Sequence, residues 1–139
     1  MQKSHHILNA IRKLGEKRLP LTRVYRCLYS EDLFLRAYAK IYNNQGAMTP
    51  GTANETADGM STEVIRDIIA QLRHEQFTFR PAKRSYADKK NGGKRPLGMP
   101  DFPEKLMQEV LRMVLEAYYE PRFRDSSHGF RPEKGCHTA

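Results

Sequence analysis

Residues 80–100, RPAKRSYADKKNGGKRPLGMP, leave their backbone few options. Asn91-Gly92-Gly93 is a strong hairpin signal, because Asn and Gly accept the positive φ values that a tight turn needs. Pro81, Pro96 and Pro100 keep the flanks extended and out of helix. The spacing predicts a two-stranded ribbon with a glycine tip. It carries seven basic residues, Arg80, Lys83, Arg84, Lys89, Lys90, Lys94 and Arg95, against a single acid, Asp88. That is six of the chain's eight net positive charges. Such a ribbon fits a phosphate backbone or a triphosphate. The plainer alternative is a solvated charged hairpin with no partner.

The rest of the chain reads as helices. Residues 4–17 set Ile7, Leu8, Ile11 and Leu14 at helical spacing among basic residues, an amphipathic helix that stops near Leu19-Pro20. His5 and His6 point apart on that helix and are read as surface residues. Residues 22–28 form a further turn or two, with Val24, Tyr25 and Leu28 inward. Ser30 caps a helix whose apolar face runs from Leu33 to Tyr42, and Ser61 caps another that runs from Val64 to His74. Between them, residues 44–59 hold three glycines and a proline. A loop of that length inside a small domain is functional or mobile. Phe77 and Phe79 alternate with polar residues as a strand leading into the ribbon. After it, Asp101-Phe102-Pro103-Glu104 has the form of a capping box, opening a long helix with a buried stripe from Leu106 to Tyr118. The tail is a loop followed by a helix start at Cys136. The expected fold is α+β, mainly helical, with one basic β-hairpin.

Composition narrows the function. A chain of 139 residues that is 39% hydrophobic affords one modest core. A net charge of +8 points to nucleic acid or another polyanion. No apolar run approaches the roughly 18 residues of a membrane span. Cys27 and Cys136 are far apart and no signal peptide is visible, so reduced thiols in a cytoplasmic protein are expected. Cys136-His137 has no second ligand pair, so no metal site is expected. Tyr86-Ala87-Asp88-Lys89 differs from the Tyr-x-Asp-Asp hairpin of RNA-copying polymerases, since one Asp beside two lysines is a poor magnesium site. No catalytic residue is assigned.

The blocks KRPLGMP, YYEPRF, SSHGFRP and GCHTA follow one another in order, with GAMTPGTANETADGMS upstream. In this combination, residues 19–139 resemble the N-terminal extension and fingers of group II intron reverse transcriptases, the intron-encoded maturases. The resemblance implies the fingers subdomain of a right-hand polymerase over residues 30–139, preceded by a basic helical segment over 1–29. It implies that Lys89 and Arg95 bind the triphosphate of the incoming dNTP. Leu97, Gly98 and Met99 fall where the family supports the templating base. Ser127, His128, Gly129, Phe130 and Arg131 fall in the block that contacts template and frames the nucleotide pocket. Arg80, Lys83, Arg84, Lys90 and Lys94 are the further RNA contacts, and the loop 45–59 matches the lid over template RNA. Ala87-Asp88 departs from the family's usual Ile-Pro.

The family's palm aspartates, which hold two magnesium ions, belong to blocks beyond this sequence. The expectation is therefore a fragment truncated before the palm and unable to extend a primer alone. No cofactor is expected in it, and Mg2+ belongs to the intact polymerase. Expected partners are intron and template RNA, dNTP in the intact protein, the missing palm, and a homodimer through an exposed apolar face of the long helix. No membrane is expected, and the compartment is the cytoplasm of a bacterium or an organelle. The alternative is a free-standing basic RNA-binding module, or the remnant of a degraded intron gene.

Overall fold

The apolar 3.6-residue period is realised in four helices of the computed structural model, which describes residues 3–138. These are α1 (Ser4–Glu16), α2 (Glu31–Ile41), α3 (Thr62–Arg73) and α4 (Phe102–Tyr119). Short 3-10 turns occupy Val24–Tyr29, Ala57–Gly59 and Glu120–Arg122. One antiparallel pair, β1 (Lys83–Asp88) and β2 (Lys94–Met99), completes an α+β chain that is mainly helical.

Helix α4 is the hub, because its stripe is wide enough to take α1 and α2 on adjacent sides. Phe102, Leu106, Val110 and Val114 are buried in it against Leu33, Phe34 and Ala37 of α2. Ile65, Ile68, Ile69 and Leu72 of α3 extend the same core, and so do Ile11 and Leu28 from the segment ahead of residue 30. Tyr118 at the far end donates to Leu19 O at 2.8 Å, pinning the chain after α1. Among the described residues, no helix is long and apolar enough to cross a membrane.

Gly15 of α1 lies against the backbone of Tyr118 on α4. A Cβ there would stand 2.1 Å from the Tyr118 carbonyl oxygen, which is backbone and cannot swing away. Gly15→Ala is therefore expected to cost about 1–3 kcal/mol by overpacking, despite alanine's better helix propensity. Urea unfolding of the two proteins checks this through a lower midpoint at unchanged slope.

Several local expectations give way to tertiary contacts. Residues 77–79 form no strand: β2 reaches only as far as Met99, opposite Lys83, and Pro100 has no N–H to continue the ladder. Phe77 and Phe79 instead pack edge to face, with ring centres 5.2 Å apart. Ser30 precedes α2 without a side-chain cap, and its hydroxyl is buried without a partner. Tyr25 is exposed rather than inward, although its hydroxyl reaches Leu72 O at 3.1 Å. No helix begins at Cys136, where Gly135 and Thr138 close a hydrogen-bonded turn. Asp101 occupies the N-cap position of α4, with its carbonyl accepting from Lys105 N at 3.1 Å, but its side chain makes no cap hydrogen bond. Its carboxylate accepts instead from amides of the loop 44–59.

Candidate functional site

The hairpin packs chiefly against itself and projects from the helices. Of the three turn residues, only Gly92 takes a positive φ, at 79°. Lys89 donates its N–H to Gly93 O at 2.7 Å, while Gly92 N–H bonds Lys89 O at 3.0 Å. This is a three-residue loop with a glycine bulge rather than a two-residue turn. The extra residue needs only one left-handed position, and Gly92 supplies it without a Cβ penalty.

Register sorts the ribbon's side chains. Cross-strand partners share a face and successive residues alternate. Ala87 pairs with Arg95, Ser85 with Leu97 and Lys83 with Met99. These form one face, and alternation puts Lys89 on it too. Arg84 pairs with Gly98, Tyr86 with Pro96 and Asp88 with Lys94 on the other face. Lys90 stands at the tip. The candidate nucleotide contacts Lys89 and Arg95 thus lie on the same side as Leu97 and Met99, whereas Arg84 and Lys94 face away. All six cations from Lys83 to Arg95 are exposed. None takes part in an ion pair among the described residues.

Arg80 differs from those six. Its Nε donates to Glu104 Oε1 at 2.7 Å and its Nη2 pairs with Glu55. Glu55 first, then Glu104, holds the guanidinium charged far above any accessible pH. Assigned to RNA from sequence, Arg80 is committed to two carboxylates, one of them buried on α4.

Beside it, Asp101 is 2% exposed and fully occupied. Oδ1 accepts from Gly51 N at 2.9 Å and Glu55 N at 3.0 Å, and Oδ2 accepts from Ala53 N at 2.9 Å. Burial pushes this carboxyl up, but the three amide donors and Arg80 together outweigh it and hold it below the usual carboxylate range. Lys105 Nζ donates to Gly46 O at 2.8 Å and Thr49 O at 2.5 Å. Ala47, Gly51 and Ala57 are buried. The loop 44–59 is therefore moored along its length. The sequence reads Asp101 as a local cap and does not mark Lys105 after it or Thr52 in the loop. The available signal was indirect: a long loop must satisfy its backbone somewhere.

In the C-terminal block, Arg131 is an organiser. It donates to Glu120 Oε1 at 2.8 and 3.0 Å and to the carbonyls of Arg124 and Ser127 at 2.8 and 2.6 Å. Its guanidinium also lies 5.2 Å from the Phe123 ring centre. His128 Nδ1 lies 3.1 Å from Thr138 Oγ1, tying His128 to the tail turn. Phe130 is fully solvent-exposed at φ 59°, a conformation bulky residues rarely adopt. With Leu115 and Tyr119 at the end of α4 and Phe123 beyond it, Phe130 lines an exposed apolar strip. No group of three His, Cys, Asp or Glu side chains converges among the described residues.

No family model matches the chain. It is 45% identical over its whole length to the group II intron-encoded protein LtrA of Lactococcus lactis, of which it covers 24%. It is 46% identical, over 99% of its length, to an uncharacterized 91 kDa protein in the cob intron of Schizosaccharomyces pombe, covering 18% of that protein. It is 37% identical, over 78% of its length, to a putative COX1/OXI3 intron 1 protein of Saccharomyces cerevisiae, covering 13%. The chain spans at most about a quarter of the length of these relatives.

Proposed function

We propose that this chain, which belongs to the group II intron-encoded proteins, forms the fingers of an RNA-directed DNA polymerase and splicing maturase. In that role it grips template and intron RNA and holds the triphosphate of the incoming dNTP. The observation that carries this reading is the projecting ribbon with six exposed cations, none of them in an ion pair among the described residues. Its two faces suit two tasks. Lys89 and Arg95 serve the nucleotide beside Leu97 and Met99, which support the templating base. Arg84 and Lys94 on the other face, and Lys90 at the tip, serve RNA phosphates, with Lys83 at the base of the nucleotide face. Phe130 offers a stacking surface for a base. The strip of Leu115, Tyr119 and Phe123 is assigned to the palm, with a second copy of the chain as its other use. The bacterial cytoplasm or an organelle is the place of work.

In such polymerases magnesium stabilises charge on the transferring phosphoryl group. The described residues offer no ligand set for it.

The test is anisotropy of a labelled single-stranded RNA across a salt series. Four to six neutralised phosphates give a slope of roughly −3 to −5 in log K against log salt. Lys83→Glu and Arg84→Glu are expected to weaken all RNA sequences about equally, because phosphate contacts carry no base information. Since the two residues lie on opposite faces, unequal losses identify the face that RNA covers. A flat salt response overturns the reading.

A further inference from the structure

The loop 44–59 does more than sit near the hairpin. It laces together the two ends of chain from which the hairpin springs. Arg80 and Pro81 lie just before β1, and Asp101 follows Pro100 at the end of β2. The Thr52 hydroxyl lies between them, 3.2 Å from Pro81 O and 3.3 Å from Asp101 Oδ2, its proton shared between the two. Glu55 completes the lacing: its carboxylate pairs with Arg80, its N–H bonds Asp101 Oδ1, and its carbonyl accepts from Phe102 N at 3.2 Å. The fit leaves no slack, since a Cβ on Gly51 would meet Asp101 N at 2.5 Å and its Cγ at 2.6 Å.

We propose that Asp101 is a positioning residue that buckles the loop 44–59 to the base of the hairpin, so that loop and ribbon meet RNA as one preformed surface. The physical basis is preorganisation. A β-hairpin that packs chiefly against itself has its direction set only at its base. A loop without regular structure has an open backbone unless something holds it. One buried carboxylate does both, because its acceptors face the loop while its own backbone continues β2 into α4. RNA then binds without first ordering either part. This rests on the RNA-binding role proposed above.

The charged groups around Asp101 are Arg80 ahead of β1, Glu55 in the loop, and Glu104 and Lys105 on α4. The carboxyl is held ionised below its ordinary range, so the buckle is intact at neutral pH and opens as pH falls through that depressed value. Glu55 and Glu104 bring two further carboxylates to this site, so Asp101→Asn is the control that isolates its part.

The experiment uses NMR amide exchange and amide-shift titration of the 139-residue chain, with RNA anisotropy in parallel. In the native chain the Gly51, Ala53 and Glu55 amides are expected to exchange slowly and to titrate together below the usual Asp value. Asp101→Asn is expected to remove that shared titration and speed exchange at these amides about tenfold or more. RNA affinity should then fall about three- to tenfold. Thr52→Val, at an exposed side chain that leaves the core intact, should loosen the Pro81 link and weaken RNA binding about two- to threefold. Unchanged amide exchange in Asp101→Asn overturns the buckle. Lost protection with unchanged RNA affinity, while Lys83→Glu still weakens binding, overturns the coupling and leaves the RNA-binding role standing. If Lys83→Glu and Arg84→Glu also leave RNA affinity unchanged, it is the RNA-binding role itself that fails, and the coupling with it.

Discussion

Lys89→Ala or Arg95→Ala, in an intact polymerase carrying these residues, is expected to raise nucleotide KM or lower kcat by about ten- to a hundredfold. RNA affinity should change by less than about twofold. The register places both side chains on one face of the ribbon near its glycine bulge, and neither is in an ion pair among the described residues. Negative charge grows on the leaving pyrophosphate during transfer, so fixed cations there stabilise the transition state as well as the bound nucleotide. Arg offers a planar fork and Lys a compact point charge, so Lys89→Arg and Arg95→Lys are not expected to be neutral. Steady-state kinetics with varied dNTP, beside RNA anisotropy, check the split. Variants that lose RNA binding but keep nucleotide kinetics would make the ribbon an RNA-binding arm only.

Phe102→Ala is expected to destabilise the chain by about 3–5 kcal/mol. That is a large share of the roughly 5–15 kcal/mol that holds a typical domain folded. Phe102 is completely buried, and its ring meets Tyr38 edge to face at 5.9 Å. It sits in the first turn of α4, and its N–H bonds the Glu55 carbonyl in the moored loop. Truncation therefore leaves a cavity where α4, α2 and the loop meet, with backbone fixed on one side. Urea unfolding reads the loss as a lower midpoint. Leu115→Ala is the control: on the same helix but half exposed, it should change stability by no more than about 0.5 kcal/mol.

The contrast between those two positions shows what could be read in advance. The α4 stripe, the α3 face and the basic ribbon are local patterns: a 3.6-residue period, a Ser cap that does bond Val64 N, and an Asn-Gly-Gly turn between extended arms. Backbone sterics and amphipathicity write these into neighbouring residues, so helices and hairpin were legible to within a few positions. The turn was legible only in part, because Asn91-Gly92 serves a two-residue turn or a bulged loop equally well until the strand register is known.

Side chains whose partners lie far along the chain were not legible. Asp101 has the ideal local context for a helix cap, yet its acceptors go to amides 46 to 50 residues away. Arg80 reads as one more cation of the ribbon until Glu55 and Glu104 are seen to pair with it. In both cases the same charged group had two satisfactory uses, one local and one distant. A buried carboxylate goes where it satisfies the most donors, and only packing α4 beneath the loop brought three amides within its reach. The sequence alone determined the four long helices, the presence of the hairpin and where the positive charge is concentrated. Tertiary structure decided which of those charges are tied down within the fold, because desolvation and long-range hydrogen bonding arise only once the core has closed.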